Sequence, residues 1–561
     1  MQRSTKYYLY ITIAAALLFL PFLGASHLFD WDEINFAEAA REMVVTGNYS
    51  QVQIDFQPFW EKPPLFFWMQ AISMHVFGVN EYAARFPNAL CGILTLLVLF
   101  SIGNKLRDEK FGLLWVLAYA CSILPQVYFK SGIIDPWFNL FIFLGFYQCI
   151  VYLDTQFRVR HIIYSALFFG LAIMTKGPVA IFLFGIVAFV YLIFRRFRMF
   201  MPWKHVPVFI FFCVLVFLPW VSIEYMRNGS WFLQKFITYQ FRLAGTEDAG
   251  HGGFFGYHFV VNFLLCFPAS VFAIRGLRGR KKQDEKTRDD LFATWMRILL
   301  WAVLIVFSII QTKIAHYSSL VYFPLTYLAA TTLYRKEGVW TGWESIGLII
   351  TGLFFTAVII CVPMFFMHPD MISSFVHDAF TAEALHAQGG WGGWEPYISI
   401  LLVAGLILAF FERKKNIQRA TWIFINCRYC YQRNGNFFTP HIERYSQGAM
   451  IDFLIDKSTE DCYTDVQGQK SYAPGFYGKH TPGIHDAPAF RSWLHAEHPE
   501  AEDDPQLLRK QFSVWLQYGD IDKTAYIITN VRKKEHYMDS PQMEYIGNKN
   551  GFYFFKREPA P

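Results

Sequence analysis

Residues 7–25 read YYLYITIAAALLFLPFLGA, an apolar run that follows Arg3 and Lys6 and ends shortly before the acidic stretch Asp30-Trp31-Asp32-Glu33. A helix of about 20 such residues, rising 1.5 Å per residue, crosses the roughly 30 Å hydrocarbon core of a bilayer. The run could also serve as a secretory signal peptide. No convincing small-residue cleavage site follows it, so we interpret it as a retained first membrane span.

Similar apolar runs recur as far as residue 411, and the whole sequence is 54% hydrophobic but only 17% charged. These runs predict further spans near residues 84–104, 111–129, 136–153, 161–175, 178–195, 205–223, 257–275, 291–311, 317–334, 344–366 and 395–411. Together with the first run they make about twelve spans. Residues 416–439 are either a doubtful thirteenth span, interrupted by Arg428, Gln432 and Arg433, or a linker.

The basic residues predict the orientation of these spans. They cluster at every second junction, at Lys105/Arg107/Lys110, Arg158/Arg160, Arg195/Arg196/Arg198, residues 275–288, Arg335/Lys336 and Arg413/Lys414/Lys415. Cationic junctions stay in the cytoplasm, so the net charge of +6 reflects topology and implies no nucleic-acid partner. The opposite junctions then face outward, at residues 26–83, 130–135, 175–178, 224–256, 312–316 and 367–394.

The composition turns polar beyond residue 440, where the short runs 524–531 and 551–556 alternate as strands do. We therefore predict a membrane domain over residues 1–415 and a small soluble α/β domain over residues 440–561. The nine cysteines lie mostly in apolar runs without paired spacing, which favours small hydrophobes over disulfides or a zinc site.

The first span is followed by more acidic residues than the start of a helix requires. Asp30 and Glu33 have the spacing of a capping box, so one of them is explained as an N-cap. Asp32 or Glu33 remains to face a cavity, where a carboxylate could bind an acceptor, take its proton or hold a metal. The stripe that follows, Ile34, Ala37, Ala40 and Val44, predicts an amphipathic helix on the membrane surface.

The outward junctions also carry isolated cations. In Trp60-Glu61-Lys62-Pro63-Pro64-Leu65 the paired prolines hold Glu61 and Lys62 at a rigid turn, where the alternative is a surface ion pair without a role. Asp135 precedes a proline, so it is either a helix N-cap or a cavity acid. Lys176 and Lys313 stand at other outward helix ends, and together these cations would form a positive cup for a phosphate leaving group.

These motifs resemble those of the GT-C-type membrane glycosyltransferases, which include protein O-mannosyltransferases and 4-amino-4-deoxy-L-arabinose transferases acting on lipid A. The resembling residues are Asp32-Glu33, residues 37–43 (AEAAREM), residues 60–65 (WEKPPL), Asp135, residues 176–178 (KGP), and Lys313 with Tyr317. The resemblance implies a GT-C-like fold of about twelve to thirteen membrane helices with outward-facing interfacial helices.

The resemblance also implies a reaction: inverting transfer of a hexose or pentose from undecaprenyl phosphate to lipid A or a related glycolipid. It implies that Asp32, Asp135 and Glu33 are catalytic, and that the donor phosphate is bound by Lys62, Tyr317, Lys313, Arg242 and Lys176. Glu61 and His251 match a metal site for Zn, Mg or Mn, although a lone loop histidine is more often a bystander. The expected location is the bacterial inner membrane, with the site and the C-terminal domain in the periplasm.

Three alternatives stay open from the sequence. The acceptor could be Ser or Thr of exported proteins, in which case Asp32 would be the natural general base. A transporter or lipid flippase would also need many spans, but such folds usually show internal repeats and we find none. A scaffolding membrane protein gives no reason for a rigid Glu-Lys-Pro-Pro turn beside paired acids.

Overall fold

The computed structural model describes residues 3–30, 32–198, 201–245, 252–277, 287–335, 341–411, 417–502 and 504–559. The helices up to residue 411 are α1 (Arg3–Phe19), α2 (Asp32–Thr46), α3 (Leu65–Phe77), α4 (Glu81–Leu106), α5 (Glu109–Ala120), α6 (Ile123–Tyr128), α7 (Asp135–Asp154), α8 (Val159–Lys176), α9 (Val179–Phe194), α10 (Val206–Gly245), α11 (Tyr257–Leu265), α12 (Ala269–Leu277), α13 (Arg288–Ile309), α14 (Tyr322–Arg335), α15 (Gly342–Met367), α16 (Ala379–Ala384) and α17 (Ser399–Phe411). A hairpin of β1 (Gln53–Ile54) and β2 (Gln57–Pro58) lies between α2 and α3.

Every predicted span contains a helix, although the first helix ends at Phe19, before the predicted bound at residue 25. The chain is a multi-pass membrane protein. Six helical stretches in the described residues are long and apolar enough to cross a bilayer: Glu81–Leu106, Asp135–Asp154, Val159–Lys176, Trp203–Arg242, Arg288–Ile309 and Gly342–Met367. Shorter apolar helices pack among them. The aromatic side chains fill the centre of the bundle, where Trp115 and Trp295 are fully buried.

Some predicted spans are broken into shorter pieces. The span over residues 111–129 divides into α5 and α6, and the span over residues 257–275 divides into α11 and α12 just before Ala269. The segment that opens the span over residues 317–334 is a 3₁₀ helix, Ala315–Val321, which continues into α14. Breaks of this kind free backbone groups, and the Ser122 hydroxyl donates to two of them, the carbonyls of Ala118 and Cys266.

The predicted outward loop over residues 224–256 is largely helical. Helix α10 is interrupted at Gly229, whose backbone (φ 62°, ψ −160°) favours glycine, and then resumes to Gly245. The second half of α10 packs Phe232 and Tyr239 against Trp60 of the first outward loop. This contact carries Arg242 to the end of the bundle at which Asp32 lies.

Residues 416–439 fall almost entirely within one long helix, α18 (Ile417–Ser446), about 45 Å in length. The C-terminal domain follows, with α19 (Gly448–Lys457), α20 (Ala473–Phe476), α21 (Pro488–Glu497), α22 (Pro505–Tyr518) and α23 (Lys534–Met538). Its strands are β3 (Tyr463–Gln467), β4 (Ala525–Asn530), β5 (Glu544–Lys549) and β6 (Phe552–Arg557), in the order β3-β4-β6-β5. Strands β3 and β4 are parallel and the other pairs antiparallel, so the predicted small α/β domain is confirmed.

Helix α2 does not lie exposed on a membrane surface, as its amphipathic stripe predicted. Its residues from Glu33 to Met43 are all buried. The polar face is covered by the C-terminal domain: Arg41 donates to the His480 carbonyl at 2.9 Å, and a Cβ at Gly475 would lie 2.3 Å from the Glu38 carboxylate. The C-terminal domain therefore sits on the end of the bundle that carries the predicted outward loops.

Candidate functional site

A small cavity at this end of the bundle unites most of the residues that the motifs predicted. Its volume is about 80 Å³. Predicted residues that line it are Asp32, Glu61, Lys62, Asp135, Lys176, Arg242 and Tyr317. The other lining residues are Asn35, Phe36, Ile134, Tyr239, Ile314, His316, Lys470 and Tyr472. Acids and cations from five separate segments of the membrane domain thus face one space.

The two predicted carboxylates approach each other through a histidine. Asp32 is the first residue of α2, and its Oδ2 lies 3.4 Å from Nε2 of His316. The same nitrogen lies 3.8 Å from Oδ2 of Asp135. Burial lowers the pKa of His316, although the carboxylates of Asp135 and Asp32 oppose that shift. The histidine is therefore neutral at pH 7 and able to share one proton between the two acids.

Asp135 is held by a cation and does not cap its helix. The residue before α7 is Ile134, and no side-chain bond caps that helix end. Instead Lys176 donates to Oδ1 of Asp135 at 2.6 Å, with 3% of the Asp135 side chain and 16% of the Lys176 side chain exposed. The Lys176 ammonium also lies 4.7 Å from the centre of the Tyr317 ring. The ion pair joins α7 to α8 and fixes the floor of the cavity.

The other side of the cavity is cationic. Lys62 is followed by Pro63 and Pro64, which restrict the backbone before α3 begins. Its ammonium donates to the Tyr239 hydroxyl at 3.2 Å, and the Arg242 guanidinium lies 5.3 Å from the Tyr239 ring. No ion pair joins Lys62 to Glu61, both of which the structure describes. Lys62 and Arg242 thus bring positive charge to this side of the cavity.

Glu33, predicted as catalytic, lies away from the cavity. It accepts two bonds from the Arg85 guanidinium, at 2.9 and 3.0 Å, and further bonds from the N–H groups of Phe29 and Gly132. Burial alone would raise the pKa of Glu33, but Arg85 and these donors outweigh it and lower that pKa. The geometry makes Glu33 a tether between α2 and α4.

A further predicted residue, Lys313, does not reach the cavity. Lys313 turns back to the end of α13, donating to the carbonyls of Phe307, Ser308 and Ile310. It satisfies carbonyls that a helix end leaves open and is not aimed at a donor phosphate. His251 lies outside the described residues. Within the described part of the chain, no three His, Cys, Asp or Glu side chains lie close enough to bind one metal ion.

Motif reasoning missed several residues of the cavity. His316 and Tyr239 gave no signal as single residues, although His316 stands between the two predicted residues Lys313 and Tyr317. Lys470 and Tyr472 come from the C-terminal domain, more than 400 positions after Asp32. No periodicity or spacing could predict that this domain closes the site.

The chain is similar to several known proteins. The family described as dolichyl-phosphate-mannose-protein mannosyltransferases matches residues 61–223. A Shewanella sediminis protein, "undecaprenyl phosphate-alpha-4-amino-4-deoxy-L-arabinose arabinosyl transferase", is 25% identical over 365 residues, which cover 62% of this chain and 64% of the relative. A Pseudomonas fluorescens relative with the same description, numbered 2, is 26% identical over 325 residues, 56% of this chain and 58% of its own. The matches thus span about three fifths of these relatives.

Solved structures extend the likeness to nearly the whole fold. The crystal structure of ArnT from Cupriavidus metallidurans bound to undecaprenyl phosphate superimposes with a TM-score of 0.74 at 17% sequence identity, covering 98% of both chains. The apo state of the same protein gives 0.73. These comparisons confirm the predicted GT-C-like fold, with its C-terminal α/β domain, and the resemblance to the GT-C-type superfamily that the outward motifs indicated.

Proposed function

We propose that the protein transfers a sugar from undecaprenyl phosphate, a polyprenyl phosphate, to an acceptor glycolipid such as lipid A. The reaction would take place in this cavity, and the fold is that of the GT-C-type membrane glycosyltransferases. The observation that carries this proposal is the convergence of Asp32 and Asp135 with Lys62 and Arg242 in one cavity at one end of the bundle. The fold likeness to a protein bound to undecaprenyl phosphate supports the donor. The description of the relatives supports an aminoarabinose as the sugar.

The cations provide for the leaving group. Breaking the bond between the sugar and the lipid phosphate leaves negative charge on the phosphate, which positioned cations stabilise in the transition state. Lys62 and Arg242 both contact Tyr239, whereas Lys176 is paired with Asp135. We assign the donor phosphate to the side of the cavity that carries Lys62 and Arg242. Because Lys176 is already paired with Asp135, its role is to hold that carboxylate in place.

The acids provide for the acceptor or the sugar. A phosphate acceptor is already ionised and needs no general base, so Asp32 would orient the ring or the amine of the sugar. A hydroxyl acceptor would instead need Asp32 as the base, with His316 positioned to hold the carboxylate. In either case attack from the side opposite the leaving phosphate gives inversion at the sugar carbon.

The site is assigned to the periplasmic face of the bacterial inner membrane. Two features support this orientation. The basic junctions are expected to face the cytoplasm, and the C-terminal domain lies beside Asp32. Polyprenyl-linked sugars supply activated donors at that face, where nucleotide sugars are lacking. The bilayer delivers both the donor and a glycolipid acceptor.

The test is sugar transfer by purified protein in detergent, with undecaprenyl-phosphate-linked aminoarabinose and lipid A, followed by mass spectrometry. We expect wild-type protein to add one aminodeoxypentose residue to lipid A, and Asp32→Asn to transfer at less than about one hundredth of that rate, as for loss of a residue that orients the reacting groups. Asp370→Asn, an exposed acid of an outward segment, is the matched control. Normal transfer by Asp32→Asn would exclude it from the mechanism, and no transfer by wild-type protein would refute the proposal.

A second acceptor class is favoured by one observation, the match of residues 61–223 to a protein mannosyltransferase family. Under that alternative the acceptor is a Ser or Thr hydroxyl of an exported protein. Mass spectrometry of exported proteins and of lipid A, from cells with and without this protein, separates the two. A hexose on exported peptides with unchanged lipid A would support the alternative.

The proposal includes a further prediction, that Glu61 and His251 bind a divalent ion. Glu61 faces the cavity, so a single ligand is in place. An ion there would supply positive charge next to the donor phosphate. Elemental analysis of purified wild-type and His251→Ala protein tests the site directly. Absence of bound metal from both, with full activity after chelation, would exclude it.

A further inference from the structure

A cleft between the first outward loop and the C-terminal domain opens beside the cavity. From its chemistry we infer that this cleft binds the phosphorylated saccharide head of the acceptor. This inference rests on the proposed function, because it names the acceptor of the same reaction. It also assigns the C-terminal domain a binding role that the motifs of the membrane domain do not suggest.

The cleft and the cavity are continuous. Glu61, Lys470 and Tyr472 line both of them. The cavity holds about 80 Å³, whereas the cleft holds about 740 Å³. Binding sites for small molecules are typically about 300–1,000 Å³, so the cavity is too small for two substrates and the cleft is large enough for a sugar head group. An acceptor seated in the cleft would reach Asp32 past Tyr472.

The walls of the cleft are separate from the membrane helices. The described lining residues all come from residues 54–61 of the first outward loop and from the C-terminal domain, in the segments 464–485, 505–517 and 533. A polyprenyl donor enters from the bilayer, so it has no path along these walls. The cleft therefore suits the water-exposed part of an acceptor whose acyl chains stay in the membrane.

The charge of the cleft favours an anion. Arg509 is committed to Asp55, at 2.8 Å, and stacks on Tyr472. Lys510 and Lys533, by contrast, are exposed and form no ion pair with any described residue. Phosphate groups bind such cations through charge-assisted hydrogen bonds, which are stronger than neutral ones. Two lysines on the rim therefore favour a head group with more than one phosphate.

A buried histidine in the cleft also lacks a partner. His485 is 4% exposed, and within the described part of the chain neither ring nitrogen has a hydrogen-bond partner. Its ring packs edge-on against Phe512 at 4.6 Å. A buried polar group without a partner destabilises the structure around it. A hydroxyl of a bound sugar would satisfy it, which supports a saccharide over a bare phosphate ion.

The experiment measures binding and transfer separately on the full-length protein in detergent. The probes are bisphosphorylated lipid A and the same glycolipid without its phosphates, with binding followed by thermophoresis. We expect Lys510→Glu/Lys533→Glu to weaken binding of the phosphorylated probe about tenfold or more, because two cations that bind phosphate are replaced by two anions that repel it. In transfer assays the same variant raises the acceptor KM by a similar factor, while kcat and the donor KM stay within twofold.

The matched control is Lys523→Glu, a half-exposed lysine of the same domain outside the cleft, which pairs with the exposed Asp461. Thermal unfolding of each variant verifies that the domain is intact. Equal binding of both probes, unchanged binding by the double variant, or preference for an acidic peptide over lipid A would overturn the inference. Selective binding without any transfer by wild-type protein would instead refute the proposed function and leave the cleft assignment standing.

Discussion

His316 is the residue that gives the cavity its arrangement. Its ring nitrogen lies within 4 Å of both Asp32 and Asp135, and the hydroxyl of Ser319 donates to its carbonyl. In the 3₁₀ turn that begins at Ala315 the side chain points into the cavity, whereas Lys313 points back to α13. A sequence pattern shows that both are polar residues at a helix end, but not which of them faces inward.

Lys62 is predicted to bind the donor phosphate directly. We expect Lys62→Ala to lower kcat/KM for transfer by about 10- to 100-fold, because one charge-assisted hydrogen bond is worth about 1.5–3 kcal/mol. The effect should be smaller in Lys62→Arg, which keeps the charge. Initial rates at several donor concentrations measure it. Lys235→Ala, a half-exposed lysine of α10, is the control, and equal rates for Lys62→Ala and this control would contradict the assignment.

Protonation of His316 is predicted to lower the transfer rate at acidic pH. Burial lowers its pKa below the ordinary value of about 6.5, so the ring is neutral at pH 7 and gains a proton only at more acidic pH. A charged ring 3.4 Å from Asp32 would pair with that carboxylate and remove it from the substrate. We therefore expect the wild-type rate to fall as the pH drops below 6.5, and His316→Gln to keep a larger share of its pH 7 rate at pH 5.

Initial rates from pH 5 to 8 test this prediction, with His377→Gln, an exposed histidine of an outward segment, as the control. The comparison is made within each variant, so a lower absolute rate in His316→Gln does not affect it. Identical pH profiles for wild-type protein and His316→Gln would show that another group governs the acid limb.

Helix α2 shows both the reach and the limit of sequence patterns at the scale of an element. Its apolar stripe correctly predicts a helix, and its position after the first span correctly predicts that it carries Asp32. The pattern predicted a polar face in water, yet Glu38, Arg41 and Glu42 are buried. A polar face that is covered by another domain has the same periodicity as one that faces solvent, so the sequence could not distinguish them.

The attachment of α2 to α4 is predicted to depend on Glu33. Removing one partner of a buried ion pair leaves the other charge uncompensated and typically costs about 3–5 kcal/mol. We expect Glu33→Ala to strand Arg85, which is 4% exposed, and to lower the midpoint of thermal unfolding by several degrees. Glu33→Gln, which keeps one acceptor, should lose less.

Thermal unfolding of purified protein measures both variants against Asp370→Ala, which removes an exposed acid. A rate of transfer that falls only in proportion to the folded fraction would fit a tether. A loss of transfer in fully folded Glu33→Gln would instead return this residue to the catalytic group in which the motifs placed it.

At the scale of the whole molecule, the sequence predicts the features that depend on a single segment of the chain. Apolar length predicted the spans, and alternation predicted β4 and β6. The break before α12 was not predicted, because its flanking residues remain apolar. The helix that resumes after Gly229 was not predicted, because residues 224–256 were interpreted as an outward loop. The closure of the cavity by Lys470 and Tyr472 was beyond sequence reasoning, since it depends on how α18 returns the C-terminal domain onto α2.

That closure predicts a stability that depends on pH. His480 and His485 lie where the C-terminal domain meets the first outward loop, and burial lowers the pKa of each to about 4. In the unfolded chain both protonate near pH 6.5, so between about pH 4 and 6.5 the unfolded state binds more protons and stability rises with pH. A pKa lowered from 6.5 to about 4 corresponds to about 3 kcal/mol of stability at neutral pH for each histidine.

Glu42 has the opposite effect on the pH dependence of stability. Burial beside Glu38 and Asp55 raises the pKa of Glu42, so the folded state binds more protons than the unfolded state above pH 4.5.

We therefore expect His480→Gln/His485→Gln to flatten the rise in unfolding midpoint between pH 4.5 and 6.5, and Glu42→Gln to steepen it and to raise the midpoint at pH 7. Tryptophan fluorescence during heating reports the transition, and hydrogen exchange of β4 and β6 assigns it to the C-terminal domain. His495→Gln, whose side chain is 80% exposed, is the control. If the double histidine variant and wild-type protein lose the same stability on acidification, the docking of this domain does not depend on neutral histidines, and acid would leave the cavity closed.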